Sequence, residues 1–414
     1  MRLTNLFTKT SKNSPADEVS KNAQLLIKAG FVYKEMAGVY AYLPLGKIVL
    51  DKIINIIREE MNLVGGNELS LTALQPKDVW EKSGRWDDKV MDVWFKTELA
   101  GGSLVGLAPT HEEPLTRLMK EFIHSYKDLP VYPYQFQIKF RNELRVKSGL
   151  MRGREFWMKD LYSFSRTTQE HEAFYEKITN AYLTVYERLG LGDLTYKTFA
   201  SGGSFSKYSH EFQTISPVGE DKIYVNRDRR IAINEEVYND DVLSDLGLSR
   251  DELVEETAVE VGNIFTLGTR FSEPLELTFT DEDGSVKPVI MGSYGIGPSR
   301  LMGVIAEHFS DDKGLVWPEA IAPAKVYLIG IGSDEAITKA DELYKELSDR
   351  AIEVIYDDRD LRPGQKFADA ELMGIPYRVT ISDRLLAENN FELTVRSNGE
   401  TIILTRDALL DKLV

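Results

Sequence analysis

The sequence predicts an α+β chain: an antiparallel sheet flanked by helices, followed by a separate, small α/β domain. Three observations carry this expectation. Residues 134–143 alternate strictly, with Tyr134, Phe136, Ile138 and Phe140 on one side and Gln135, Gln137, Lys139, Arg141 and Glu143 on the other, a strand with one polar face. A loop with two glycines and three cationic residues, 144–153, leads into a second strand at 154–164 that puts Phe156, Met158 and Asp160 on one face. Beyond Pro318 and Pro323, strand and helix patterns alternate at 326–331, 336–347, 354–356, 367–373 and 379–381. The expected division is therefore 1–322 and 323–414.

The remaining elements follow in order. Ser14 as N-cap, Pro15 at the first helical position and Gly30 beyond Leu25, Leu26 and Ile27 frame a first helix. Ile48, Val49, Ile53, Ile56, Ile57 and Met61 recur at helical spacing over 45–64, and Gly65-Gly66 stops that helix. Residues 68–73 alternate as a half-buried strand ending at Pro76. A helix is expected over 169–189, a turn at Gly202-Gly203, and a strand from Ser209 to Thr214 that carries His210. Residues 217–256 are acidic and weakly periodic, with Asn239-Asp240-Asp241, and read as a short insert. Strand patterns return at 259–265 and 275–279, Asp281-Glu282-Asp283-Gly284 makes a hairpin turn, and 289–291 leads through Gly292–Pro298 into a helix over 299–308.

Composition narrows the function classes. A hydrophobic share of 43% with 28% charged residues is that of an ordinary globular protein, and no run approaches the length needed to span a bilayer. The opening MRLTNLFTKTSKNS is basic with Ser and Thr, as transit peptides are, but lacks their arginine richness. Cysteine is absent, which removes disulfides, thiolate nucleophiles and Cys-ligated zinc and is compatible with a reducing cytoplasm. A net charge of −16 opposes phosphate binding in general. Basic residues nevertheless cluster: Arg141, Arg145, Lys147, Arg152 and Arg154 lie between Lys139 and Lys159, against Glu143 and Glu155. That is either a solvated loop or one pocket for a polyanion.

Common nucleotide and hydrolase motifs are missing. The chain has no Walker A sequence, Gly330-Ile331-Gly332 lacks the third glycine of a dinucleotide fingerprint, and no Ser-His-Asp elbow appears. His111, His124, His171, His210 and His308 show no metal-ligand spacing. What remains is a polar sheet, a cationic loop and a glycine turn before an Arg-bearing helix. Gly292, Gly295 and Gly297 would let a ligand approach the backbone, Pro298 pre-sets the helix start, and Arg300 sits in its first turn, where the dipole favours an anion. Arg141 and Glu143 offer a cation and a carboxylate for phosphate and for base or metal, and Phe156 could stack on a purine. Together these describe a sheet that binds ATP without a P-loop.

These residues resemble the class II aminoacyl-tRNA synthetases, most closely the bacterial prolyl type without its editing insertion. FRNE (140–143), the following loop and REF (154–156) are similar to class II motif 2, GSYGIGPSR (292–300) to motif 3, and the helix, strand and Pro76 unit to motif 1. PTHEEPLT (109–116), SHEFQ (209–213), EVGNIFTLGT (260–269) and DDRDLRPGQKFADAELMGIP (357–376) resemble further prolyl-type signatures. LFTKTSKNSPAD fits that family's mature N-terminus, which weakens the transit-peptide reading. The likeness covers nearly the whole chain. It implies a class II antiparallel sheet in 1–322 and an anticodon-binding α/β domain in 323–414.

The resemblance also implies roles. Arg141 would bind the proline carboxylate and the ATP α-phosphate, and Arg300 the nucleotide. Thr110 and Glu112 would receive the secondary ammonium, and Met158, His210 and Ser293 would line the ring pocket. Glu143, Arg152, Phe156, Gln213, Thr214 and Arg300 would bind ATP, with Mg²⁺ arriving on the nucleotide, possible at Glu143, and no protein-only metal cage. Catalysis would come from positioning and positive charge, because a carboxylate is already a nucleophile and pyrophosphate an adequate leaving group. Arg359, Arg362 and Lys366 would contact tRNA(Pro), or equally serve as salt-bridge partners of Asp357, Asp358 and Asp360. A cytoplasmic homodimer is implied as well.

Three departures from the family matter. The acidic 217–256 segment stands where many relatives carry a domain that hydrolyses mischarged alanyl-tRNA, so no editing in cis is expected. Ser204 is separated from Ser209 by Phe-Ser-Lys-Tyr, longer than the pattern. Asn263 and Ser293 replace the usual His and Cys. The rival readings are a threonyl or glycyl synthetase, the first of which would need zinc ligands that are missing, and a non-catalytic paralogue. Such paralogues usually lack one of the two motif arginines; both stand here.

Overall fold

The computed structural model describes residues 1–146, 148–202 and 208–413. Lys147 of the basic loop, and Gly203 and Ser204 ahead of Ser209, lie outside them. By compactness the chain divides into two units, Met1–Ile53 with Met302–Val414, and Ile54–Leu301.

The second unit is built on a nine-stranded sheet. Its strands are β1 (Asn67–Glu68), β2 (Pro133–Phe140), β3 (Glu155–Ser165), β4 (Thr195–Ser201), β5 (Tyr208–Ile215), β6 (Asp221–Asn226), β7 (Ile231–Asn234), β8 (Val254–Gly268) and β9 (Ile290–Ile296). The order is β5-β4-β7-β6-β8-β9-β3-β2-β1, with β5 also paired to β8. The pairings are antiparallel except β4 with β7 and β1 with β2. Because β8 pairs with β6 over Val254–Ala258 and with β5 over Ala258–Ile264, five strands (β4, β5, β8, β6, β7) close into a ring. The far end of β8 runs out of that ring to pair with β9.

One helix covers one face of the sheet. It runs over Thr168–Arg188, capped by the Thr167 hydroxyl, which accepts from the Glu170 N–H at 3.1 Å. Phe174, Ile178, Tyr182, Val185 and Tyr186 recur on one side of it and are buried. Phe174 meets Tyr294 of β9 edge-on at 5.4 Å, and Tyr182 meets Phe212 of β5 at 5.1 Å. The opposite face of β2, β3 and β9 bears the polar side chains.

The structure departs from the sequence reading in several places, among them 275–279, where the strand is confined to Thr278–Thr280. The first helix is α1 (Lys21–Lys28), capped at Ser20 rather than Ser14. The buried Glu18 carboxylate accepts the Ser20 N–H (3.1 Å) and the Tyr40 hydroxyl (2.7 Å) and pairs with Lys34 at 3.2 Å, which holds the segment after Pro15 in a turn. Residues 69–73 are not strand, because side chains of β2 replace the ladder: Gln135 accepts from the Leu71 N–H, and the Gln137 amide donates to Leu71 O at 2.6 Å. The polar strand stops at Phe140, leaving Arg141 and Glu143 in the loop. Residues 217–256, weakly periodic in sequence, have regular structure. They hold β6 and β7, whose Ile223, Val225, Ala232 and Ile233 are fully buried, and a short helix at Asp240–Leu246. Strands of six and four residues broken by an Arg- and Asp-rich turn give too little alternation to read. The helices at 45–64, 169–189 and 299–308 appear as α2 (Pro44–Leu63), α4 (Thr168–Arg188) and α5 (Pro298–His308), with α3 (Glu112–Met119) between the first two.

Within the first unit, β10 (Val326–Ile331), β11 (Val354–Asp357), β12 (Tyr377–Ser382), β13 (Asn390–Val395) and β14 (Thr401–Thr405) form a sheet in the order β11-β10-β12-β13-β14. The first three strands are parallel, as the alternation implied, and α6 (Asp334–Asp349) and α7 (Pro363–Met373) connect them. The antiparallel hairpin 390–405 was not anticipated. The edge strand β11 is covered by the start of the chain: Tyr356 N–H donates to Met1 O at 2.8 Å, Arg2 pairs with Asp341 at 2.6 Å, and the Thr4 hydroxyl reaches Asp358 at 2.7 Å.

Gly374 ends α7 with φ 72°, and a Cβ there would run into the Leu315 carbonyl. Gly374→Ala should destabilise by about 1–2 kcal/mol for the left-handed backbone alone, with the clash added. An unchanged urea midpoint for the variant would contradict this.

Candidate active site

The floor of the site is set by strand pairing. Gln135 lies opposite Asp160, Gln137 opposite Met158 and Lys139 opposite Phe156, so these side chains share the open face of β2 and β3. Ser293 of β9 lies opposite Tyr162, and Gly295 opposite both Asp160 and Asn263, which extends the same face. Lys139 is buried and forms a short ion pair with Asp160, which also accepts from the Gln135 amide at 3.1 Å. The Lys139 ammonium contacts His111 Nδ1 as well, and His111 Nε2 meets Thr72 O at 3.1 Å. That pairing makes Nδ1 the acceptor and Nε2 the donor of a neutral ring. Burial, and then the neighbouring Lys139 charge, push the His111 pKa down to about 4.

Above the floor lies a cavity lined by Arg141, Glu143, Arg152, Phe156, Met158 and Arg300, and also by Glu260, Asn263 and Gly297. Arg141 leaves the end of β2, donates to Pro109 O at 3.3 Å, and sits 5.3 Å over the Phe156 ring. Arg300, in the first turn of α5, donates to Met151 O at 2.8 Å and Glu260 O at 2.6 Å. Its helix start is tied to β3 by the Trp157 N–H, which donates to the Ser299 hydroxyl at 2.8 Å. Burial, and then the Arg300 charge, lower the Arg141 pKa. Two guanidiniums thus face one space, and an anion between them would relieve their repulsion. Arg152 holds Glu143 at 2.9 Å and Glu220 at 2.5 Å, which folds the loop over the cavity. Gly297 borders this space, and a Cβ on Gly295 would lie 2.6 Å from Cε of Met158, which lines it. Gly292 serves another end: Tyr294, His171 and Ser163 fill the place of its side chain, so no ligand comes near it.

Beside the cavity, α3 begins with Glu112 and Glu113, which sequence reading had placed as Thr-x-Glu and left the second acid unused. The Thr110 hydroxyl donates to Glu112 at 2.6 Å and the Tyr162 hydroxyl at 3.2 Å. Arg85 pairs with both acids at 3.1 Å. Arg85, Glu113, Tyr162 and the Lys139–Asp160–His111 group were missed because their partners are distant in the chain. The one available signal was a lysine and an aspartate on the predicted polar face.

Two residues expected here lie elsewhere. His210 faces α4: its Nδ1 is bonded to the Tyr175 hydroxyl at 2.7 Å, its ring meets Phe199 at 4.7 Å, and burial pushes its pKa down to about 3. Gln213 pairs with Glu260 across the strands, on the side of the cavity, and donates to Asp221 at 2.8 Å. Thr214, the next residue, must then face the other way, and its hydroxyl meets Thr195 at 2.8 Å. In the first unit, Arg359 is locked between Asp357 (2.7 Å) and Asp369 (2.8 Å). Lys366 is buried and donates to Asp357 O at 3.1 Å, while Arg362 stays exposed at the start of α7. The salt-bridge alternative therefore holds for Arg359. Among the described residues no group of three or more acids and histidines could hold a metal, and no helix is long and apolar enough to cross a membrane.

Comparison with known proteins adds a second line. Residues 95–309 match the tRNA synthetase class II core domain (G, H, P, S and T), and 325–414 match the anticodon binding domain. A proline–tRNA ligase of Agrobacterium fabrum is 36% identical over 442 residues, covering 100% of this chain and 99% of the relative. That of Rhodopseudomonas palustris is 38% identical, covering 96% and 97%. Among solved structures, prolyl-tRNA synthetase from Cryptosporidium parvum complexed with halofuginone and AMPPNP matches with a TM-score of 0.78 at 20% identity, over 94% of this chain and 75% of that one. The Giardia lamblia enzyme in complex with prolyl-adenylate matches at 0.76 and 20%, over 92% and 73%. At that identity the likeness is one of fold.

Lys139→Met would leave Asp160 buried without its partner and His111 without its donor. The expected loss of stability is about 3–5 kcal/mol, read as a fall in the denaturation midpoint; a variant as stable as the parent would show the pair to be dispensable.

Proposed function

The chain belongs to the proline–tRNA ligases of the class II tRNA synthetases, and from that membership we propose that it condenses L-proline with ATP to prolyl-adenylate and pyrophosphate, then passes the prolyl group to tRNA(Pro). The convergence of Arg141 and Arg300 on one cavity carries the reading for this site. Arg141 lines the cavity and donates to Pro109 O, next to Thr110, and would bind both the proline carboxylate and the α-phosphate. Holding those two groups together removes the entropy of encounter, and the paired guanidiniums favour the charge that develops on phosphorus. Attack of the carboxylate oxygen forms the new P–O bond as the bond to pyrophosphate breaks, so no general base is required.

Thr110 and Glu112 would take the secondary ammonium, with Met158 and Ser293 along the ring. Phe156, Glu143, Arg152, Gln213 and Arg300 would hold ATP. Arg152 would do so by exchanging Glu143 and Glu220 for phosphate. The carboxylate oxygens of Glu143 and Glu260 suit a hard cation such as Mg²⁺ brought in by the nucleotide, which would neutralise phosphate charge. His210 and Thr214 take no part. Arg362 is the remaining candidate of the three for a tRNA contact. A cytoplasmic homodimer, and a division near residue 322 into catalytic and anticodon-binding parts, complete the proposal.

Proline-dependent ATP–pyrophosphate exchange tests this. Arg141→Lys keeps one charge but loses the planar fork, and should cut kcat/KM by a factor of about 10²–10³. Exchange that is absent with proline, or unaffected by the substitution, would overturn the assignment. The short 217–256 segment, built of two strands and a short helix, supports the absence of editing in cis, and discrimination against alanine would then rest on a pocket difference of about 1–3 kcal/mol. Purified enzyme should therefore accumulate alanyl-tRNA(Pro) that persists; rapid deacylation by the enzyme would refute the absence of editing in cis.

A further inference from the structure

Arg85 is the cation nearest two buried carboxylates. A single nitrogen, Nη1, lies 3.1 Å from Glu112 Oε2 and 3.1 Å from both oxygens of Glu113. The guanidinium is held between Trp80 and Phe271, 5.4 and 5.3 Å from the ring centroids, so it does not follow either acid outward. The Glu113 side chain is fully buried and takes one further donor, the Ser83 hydroxyl at 2.6 Å. Glu112 takes two, from Thr110 and Tyr162. The charged groups packed behind Tyr162 are Lys139 and Asp160, which cancel, and His111, which is neutral. If both acids ionise, the cluster therefore carries one uncompensated negative charge inside the protein, which is costly.

We propose that the ammonium of bound proline is the missing countercharge of this pair, and that proline binding expels a proton from the pair to solvent. The inference rests on the proline-binding role of Thr110 and Glu112 and says how that pocket balances its charge. Without substrate the proton resides on Glu113. Burial, with Glu112 beside it, pushes that pKa up to about 7, whereas Arg85 and Thr110 hold Glu112 below the usual carboxylate range against the opposing effect of burial. When the secondary ammonium lodges against Thr110 and Glu112, it takes over the charge of Glu112 and leaves Arg85 to Glu113. The Glu113 O–H bond then breaks, its electron pair stays on the carboxylate, and the proton passes to buffer. Arg85 and Glu113 are positioning residues here, since neither needs to touch the substrate.

The sign of the linkage sets the pH window. Glu113 is largely protonated in the free protein near pH 6 and ionised above about pH 8, so proton release approaches one per proline near pH 6, vanishes above about pH 8, and fades again in acid, where Glu113 stays protonated with proline bound. Calorimetric titration of the full chain with L-proline, in buffers of different ionisation enthalpy at several pH values, counts that proton directly. Glu113→Gln should bind proline with no buffer dependence of the heat. The inference is overturned if the parent protein binds proline with no proton release near pH 6, or if the variant releases the same proton. Should the variant not fold, the pH series on the parent decides alone. Absence of both proline binding heat and proline-dependent exchange would sink the proline reading itself, whereas binding without proton release would sink only the linkage.

Discussion

The buried Lys139–Asp160 ion pair is the constraint on which the site depends. It joins β2 to β3 beneath the cavity and reaches His111 just ahead of α3. Charges removed from water are tolerated only when paired and fully hydrogen-bonded. Here Gln135 supplies the remaining donor to Asp160, and His111 offers Lys139 its unprotonated nitrogen. Because that histidine also holds Thr72, the strand floor, the Thr110–Glu112 turn and the segment after β1 are fixed by one cluster. The price of burying it is met by specificity of geometry: a sheet that slipped by one residue would turn every one of these groups to the other face.

The cavity shows how an acidic chain keeps a cluster of cations at one place. Its arginines are not bare. Arg152 is held by Glu143 and Glu220, and Arg300 by the backbone and side chain of Glu260. Acids around the rim keep the cations ordered and the protein free of strong nonspecific attraction to nucleic acid. Side chains already ordered in this way would lose little further freedom on meeting an anion.

Much of this was legible in the sequence, and the failures share physical causes. Strict alternation over 134–143 revealed the polar face, and Pro298 revealed a helix start that brings Arg300 to the cavity; both are local signals. His210 was placed in the pocket because of its neighbours in the sequence, yet the pairing of β5 with β8 turns it toward α4. Gln213 and Thr214 are neighbours in one strand and so point to opposite faces, a rule that the expectation of one shared role for both overlooks. Lys366 looked like an exposed base, but its amphipathic stem is buried and its ammonium ends on backbone carbonyls. Arg85 and Glu113 meet across some thirty residues of intervening chain, a distance that no periodicity reveals.

The ring formed by β4, β5, β8, β6 and β7 bears on how such a chain can change in length. The segment 217–256, acidic and weakly periodic in sequence, would be the natural place to trim. Its two strands, however, complete the circuit that clamps one end of β8, while the middle of the same strand carries Glu260 and Asn263 to the cavity. A shortened descendant would leave that long strand cantilevered, with its unpaired edge open to solvent. Growth at the tips of the ring is permitted by this architecture, and erosion of its staves is not.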